Sequence, residues 1–134
     1  MGVKEDEIKL LIERAQQKID VASNILKIGY LEDAINRAYY AVFYAALAAL
    51  LSKNIVTRKH STTLSLFGYH IVRTGDIEKE YARIYRKLKE MRESADYDIC
   101  VFFDRAEVED AINQADKFVC RIKKYLEDKG IKIH

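Results

Sequence analysis

The longest uninterrupted apolar stretch runs over residues 38–51, Ala-Tyr-Tyr-Ala-Val-Phe-Tyr-Ala-Ala-Leu-Ala-Ala-Leu-Leu, with no charged residue inside it. Ala and Leu are strong helix formers, so the stretch predicts helix. One side of that helix is small, with Ala34, Ala38, Ala41, Ala45 and Ala48. The opposite side is bulky, with Tyr40, Phe43, Tyr44, Leu47, Leu50 and Leu51. A helix apolar all round crosses a membrane or sits at the centre of a core. Crossing takes roughly 20 apolar residues, and shorter runs are more often buried helices. Arg37 and Lys53 bracket this run. It reads as the central helix of a soluble bundle. Its alanine side would admit a neighbouring backbone. Its aromatic side would fill the remaining core, part of it against a second subunit.

Apolar residues spaced three and four apart predict further helices around it. A first helix over about 5–28 carries Ile8, Leu11, Ile12, Ala15, Ile19, Ala22 and Leu26, and Gly29 stops it. The short break Gly29-Tyr30 implies an antiparallel return into the central helix, about 31–53. After a polar linker, His60-Ser61-Thr62-Thr63 offers capping hydroxyls to a short helix over about 61–73. Leu64, Phe67 and Ile71 form its buried edge, Gly68 would permit close packing, and Gly75 ends it. Asp76 is the expected N-cap of the next helix, whose seam is Ile77, Tyr81, Ile84, Leu88, Met91 and Ala95 and which frays near 96–98. Ile99 to Phe103 is a short apolar segment, either a buried connector or a patch for a partner. Asp104 and Glu107 have the spacing of a capping box for a last helix over about 105–128. Val108, Ala111, Ala115, Phe118, Ile122 and Tyr125 face the core there, and a frayed tail follows Gly130. The expected fold is all-α, one domain over 1–134: an antiparallel four-helix up-and-down bundle with one additional short helix.

Composition changes this picture little. The chain has no proline, which favours long helices, and a net charge of +2, too balanced to argue nucleic-acid binding by itself. Cys100 and Cys120 lie in no CxxC pair and read as thiols of a reducing cytoplasm. The charged start Met-Gly-Val-Lys-Glu-Asp-Glu predicts no signal peptide, hence a cytoplasmic protein without a membrane partner. There is no Glu-x-x-His pair, no Gly-rich phosphate loop and no cysteine zinc framework. His60, His70 and His134 are scattered, so neither a metal nor a cofactor is expected.

The most unusual constellation is Arg92-Glu93-Ser94-Ala95-Asp96-Tyr97-Asp98. Arg92 and Asp96 share a helix face, and Tyr85, Lys89, Arg92 and Asp96 form a polar stripe beside the apolar seam. As a plain exposed pair, Arg92 and Asp96 are worth about 0.3 kcal/mol. As a site, Asp96 orients a guanidinium that meets a phosphate, and Tyr97 lines the same cleft. Arg83, Arg86, Lys87 and Lys89 interleave with Glu78, Glu80, Glu90 and Glu93, as on a solvated face; the alternative is a nucleic-acid surface.

These segments carry a resemblance. Ala38-Tyr39-Tyr40-Ala41-Val42-Phe43, Lys59-His60, and Arg92-x-x-Ala95-Asp96-Tyr97 together are similar to the HEPN domain, a helical module of higher eukaryotes and prokaryotes linked to nucleotide binding. The resemblance implies a bundle that pairs into a homodimer and works with a separately encoded minimal nucleotidyltransferase in toxin–antitoxin arrangements. It further implies binding of nucleotide or RNA, with Arg92, Tyr97, Lys89 and Lys59 as the contacts. Many family members are metal-independent RNases whose motif is an arginine followed a few residues later by a histidine. Arg92 matches the arginine, but Tyr97, Asp98 and Ile99 supply no histidine. A catalytic set would then be Arg92, Asp96 and His60. Asp96 would need a pKa raised by burial, which Arg92 opposes. His60 follows the basic pair Arg58-Lys59 at a helix start, where an anion is favoured. The expectation is a nucleotide- or RNA-binding protein. The alternatives are a metal-independent endoribonuclease acting as a homodimer and a non-catalytic helical interaction module.

Overall fold

A computed structural model describes residues 2–98 and 101–133. Among the described residues there are five α-helices and no strand: α1 (Val3–Ile28), α2 (Leu31–Leu51), α3 (His60–Phe67), α4 (Lys79–Tyr97) and α5 (Arg105–Asp128). A π-helical turn, Gly68–Val72, continues α3.

The apolar run is the hub. Helix α2 packs against α1, α3, α4 and α5. Ala34, Ala38, Ala41, Ala45 and Ala48 are all fully buried, because only a methyl group fits where neighbouring helices come this close. Helix α2 is long and apolar enough to cross a bilayer, yet 67% of its most apolar window is buried inside the protein. Its bulky side is less complete than expected. Phe43 and Leu50 are buried, but Tyr40, Tyr44, Leu47 and Leu51 are only partly buried.

Contacts between helix ends set the directions. Lys4 at the start of α1 donates to the Asn54 side chain just past α2, and Lys129 just past α5 donates to Ser52 Oγ. At the other end, Arg105 of α5 donates to the Leu26 carbonyl of α1. Arg121 of α5 pairs with Glu78 at 2.8 Å, immediately before α4. The long helices therefore alternate in direction, consistent with an up-and-down bundle.

Local signals mark several boundaries. Gly29 adopts φ 101°, and its N–H donates to the Ile25 and Leu26 carbonyls, closing α1. The capping box is present: Glu107 N–H donates to Asp104 Oδ1 at 2.7 Å, and Asp104 N–H donates to Glu107 Oε1 at 3.2 Å.

Other expectations are corrected. The hydroxyls after His60 cap no N–H; Thr63 and Thr62 donate backwards to the Lys59 carbonyl. The short helix is α-helical only to Phe67, and a Cβ on Gly68 would meet open space, so this glycine serves no close contact. Asp76 is not a cap. The residue before α4 is Glu78, and Asp76 instead pairs with Lys53 at 2.9 Å and accepts from Tyr125 and Thr74. The tail is not frayed, because Ile131 and Ile133 are buried. Of the apolar segment before α5, Ile99 and Cys100 lie outside the described residues; Phe102 is exposed and Phe103 packs against the core.

Candidate functional site

Three helices meet at an aromatic cluster. Helix α2 supplies Tyr39, Tyr40 and Phe43, whose three-and-four spacing stacks them along adjoining faces. Helix α3 begins at His60, and α4 contributes Arg92 and Asp96 from its last turns. The linker after α2 carries the chain back so that His60 lies flat on Phe43, centroids 4.0 Å apart and planes 12° apart. Tyr40 meets the same imidazole edge-on at 5.3 Å. The Tyr39 hydroxyl lies 3.3 Å from His60 Nδ1.

Arg92 also stands over these rings. Its Cζ stands 5.0 Å from the Tyr39 centroid and 5.9 Å from that of Tyr40, a cation over two π faces. Nε sits 3.2 Å from Asp96 Oδ2, close enough for a charge contact but without the alignment of a hydrogen bond. Nη1 and Nη2 are not among the buried, unpartnered atoms, and neither donates a hydrogen bond to another described residue. The side chain keeps 22% of its surface. Arg92 is thus neither sealed in the interior nor fully consumed by the carboxylates described here.

The electrostatics follow. Burial pushes the His60 pKa below its ordinary value, and the Arg92 charge pushes the same way. At neutral pH the imidazole is therefore uncharged. Burial raises the Tyr39 pKa, with Arg92 opposing, so the phenol keeps its proton. Tyr85 is fully buried, its hydroxyl makes no well-formed hydrogen bond, and burial raises its pKa too. Tyr85 therefore does not belong to a polar stripe; it is core, and the buried face of α4 is turned toward it.

The expected site residues divide. The fold brings together Arg92, Asp96 and His60. Lys89 pairs with Glu93 at 3.2 Å, on the same helix. Lys59 is exposed just before α3. Tyr97 is 80% exposed and takes no part in the cluster. Sequence reasoning missed Tyr39 as a site residue. Its signal was present in the adjacent pair Tyr39-Tyr40 with Phe43 one turn on, three rings concentrated on adjoining faces of one helix. A separate groove of about 360 Å³ lies between α4 and α5, lined by Arg83, Lys87, Met91, Glu107 and Asp110 among others, and shares no residue with this cluster. No group of three or more His, Cys, Asp or Glu side chains converges among the described residues. What the cluster offers chemically is a partly exposed guanidinium fixed over aromatic rings, suited to an oxyanion.

Comparison with known proteins gives this geometry a setting. The family model described as "HEPN domain" matches residues 8–125. A "UPF0332 protein" of Thermotoga maritima is 38% identical over 128 residues, covering 96% of this chain and 97% of its own. "Putative toxin MJ0605" of Methanocaldococcus jannaschii is 39% identical over 123 residues, covering 92% of this chain and 91% of its own. In structure, the chain is similar to TT1696 from Thermus thermophilus, with a TM-score of 0.75 and 20% identity, over 94% of this chain and 100% of that one. That last likeness concerns the fold alone.

Proposed function

This chain belongs to the HEPN domain family, and from that premise we propose that it is a toxin-like protein that binds RNA or a nucleotide by a phosphate group at the Arg92–His60 cluster. The observation that carries the reading is Arg92 itself. Its guanidinium is held over Tyr39 and Tyr40, its Nη groups meet no acceptor among the described residues, and the His60 imidazole stands on the same rings. The toxin names of two relatives agree with it. Lys59, Lys89 and Tyr97 extend the contact surface outward along the nucleic acid. The protein works in the cytoplasm with a separately encoded minimal nucleotidyltransferase.

The acting unit is a homodimer. The partly buried Tyr40, Tyr44, Leu47 and Leu51 repeat at four, three and four residues along α2, the spacing of a helix-pairing seam. The seam begins at the cluster, so two copies would bring two sites close together.

A second reading is metal-independent RNA cleavage, favoured by the arrival of His60 beside Arg92 where the adjacent sequence lacks a histidine. Fluorescent single-stranded RNA decides. Saturable binding without cutting in EDTA, lost in Arg92→Ala, supports the binding role. EDTA-resistant cutting lost in Arg92→Ala supports the nuclease. Unchanged affinity of Arg92→Ala at low salt removes the cluster from the function.

A further inference from the structure

We propose that Tyr39 is a positioning residue that fixes His60 as its Nε2–H tautomer, so that the site offers a phosphodiester a neutral imidazole donor beside the Arg92 guanidinium and withdraws no proton from it. The proposal rests on the reading of the cluster as a phosphate site and specifies how that site works.

Tyr39 is completely buried, so its hydroxyl has no water to turn to. Its one well-formed hydrogen bond among the described residues is to His60 Nδ1 at 3.3 Å. Tyr85 packs its ring 6.3 Å away, and its hydroxyl makes no well-formed bond. A buried O–H left undirected is costly, and a phenol that keeps its proton is the natural donor of the pair. Tyr39 therefore donates and Nδ1 accepts.

A neutral imidazole that accepts at one nitrogen carries its proton on the other. Nε2 is not among the buried, unpartnered atoms of the described residues, so its N–H is left for a ligand. Phe43 and Tyr40 fix the plane of the ring, and the contact with Tyr39 fixes which edge carries Nδ1. An imidazolium would put a second proton on Nδ1, against the Tyr39 hydroxyl, and a second cation beside Arg92. Nε2 consequently has no lone pair for a ribose 2′-hydroxyl, while it has an N–H for a phosphate oxygen. Of the two readings above, this geometry supports binding.

The test is nitrogen NMR on the full chain with ¹⁵N-labelled histidine, at about pH 8, where the imidazole is neutral. The expected spectrum shows His60 protonated on Nε2, with an Nδ1 resonance displaced by an accepted hydrogen bond. Tyr39→Phe should return that resonance toward the value of a free imidazole while circular dichroism stays unchanged. With a single-stranded RNA probe, His60→Gln, which keeps an N–H near the place of Nε2, should bind within about threefold of wild type. His60→Ala should lose about tenfold. Protonation on Nδ1 in the wild-type spectrum overturns the proposal without any variant needing to fold. So does equal loss in the Gln and Ala variants, or EDTA-resistant cleavage that His60→Gln abolishes. Failure of wild-type protein to bind RNA would instead remove the phosphate reading, leaving the tautomer to be judged on the spectra.

Discussion

The guanidinium carbon of Arg92 stands 5.0 Å from the centre of the Tyr39 ring, although the two residues belong to different helices and only the packing of α4 on α2 brings them together. A cation over an aromatic face loses rotational freedom without losing its charge. The side chain stays partly exposed, and the entropy of ordering it is spent in folding rather than in binding.

Arg92→Ala is expected to lower affinity for single-stranded RNA by about 10-fold or more at low salt, the worth of a charge-assisted hydrogen bond. Arg92→Lys should recover only part of it, because an ammonium lacks the planar fork. Stability should change by less than about 1 kcal/mol. Fluorescence anisotropy and a denaturant melt on the same preparations check both statements.

His60 makes a pH prediction. Its pKa in the folded protein is depressed, first by burial and then by Arg92. As pH falls below about 6.5, the unfolded chain takes up a proton that folded His60 resists. The contribution of this residue is therefore present above that pH and lost as pH falls toward the folded value. Urea melts between about pH 8 and pH 5 should show a wild-type decline that is shallower in His60→Gln. Arg92→Ala should raise the His60 pKa in an NMR titration.

Asp76 makes the opposite kind of statement at the other end of the bundle. Its carboxyl is held below the usual carboxylate range, chiefly by the hydrogen bond from Lys53 and also by those from Tyr125 and Thr74. The unfolded carboxyl protonates first, so this stabilisation is present above about pH 4 and lost as pH falls through the folded pKa. Asp76→Asn should flatten the acid limb of the stability curve. Tyr125→Phe should cost about 1 kcal/mol at neutral pH, read by urea unfolding.

The alanine face of α2 predicts intolerance to size. Ala45 is fully buried among close neighbours, and Ala45→Leu should cost about 1–3 kcal/mol by overpacking, seen as a lowered midpoint in thermal or urea melts.

Leu47 lies in the partly buried seam of α2. Leu47→Glu should reduce the mass measured by light scattering from twice 15.6 kDa to once that value, with helicity unchanged. A wild-type protein already monomeric at high concentration would remove the seam as an interface.

What depends on near neighbours along the chain is legible in the residues alone. The central helix was legible because no charge interrupts residues 38–51. The start of α5 was legible because Asp104 and Glu107 satisfy each other within one turn, and the end of α1 because a glycine at position 29 tolerates its positive φ. Arg92 and Asp96 were paired correctly for the same reason, being one helical turn apart. The packing of separate helices set which side of α4 faces inward, placing Tyr85 in the core, and whether Asp76 serves a helix end or answers Lys53. It also decided that Tyr97 stands in solvent while His60 lies on Phe43. These outcomes depend on how separate helices approach one another. Periodicity marks a face, but the partner that covers it is set by the packing of the whole core.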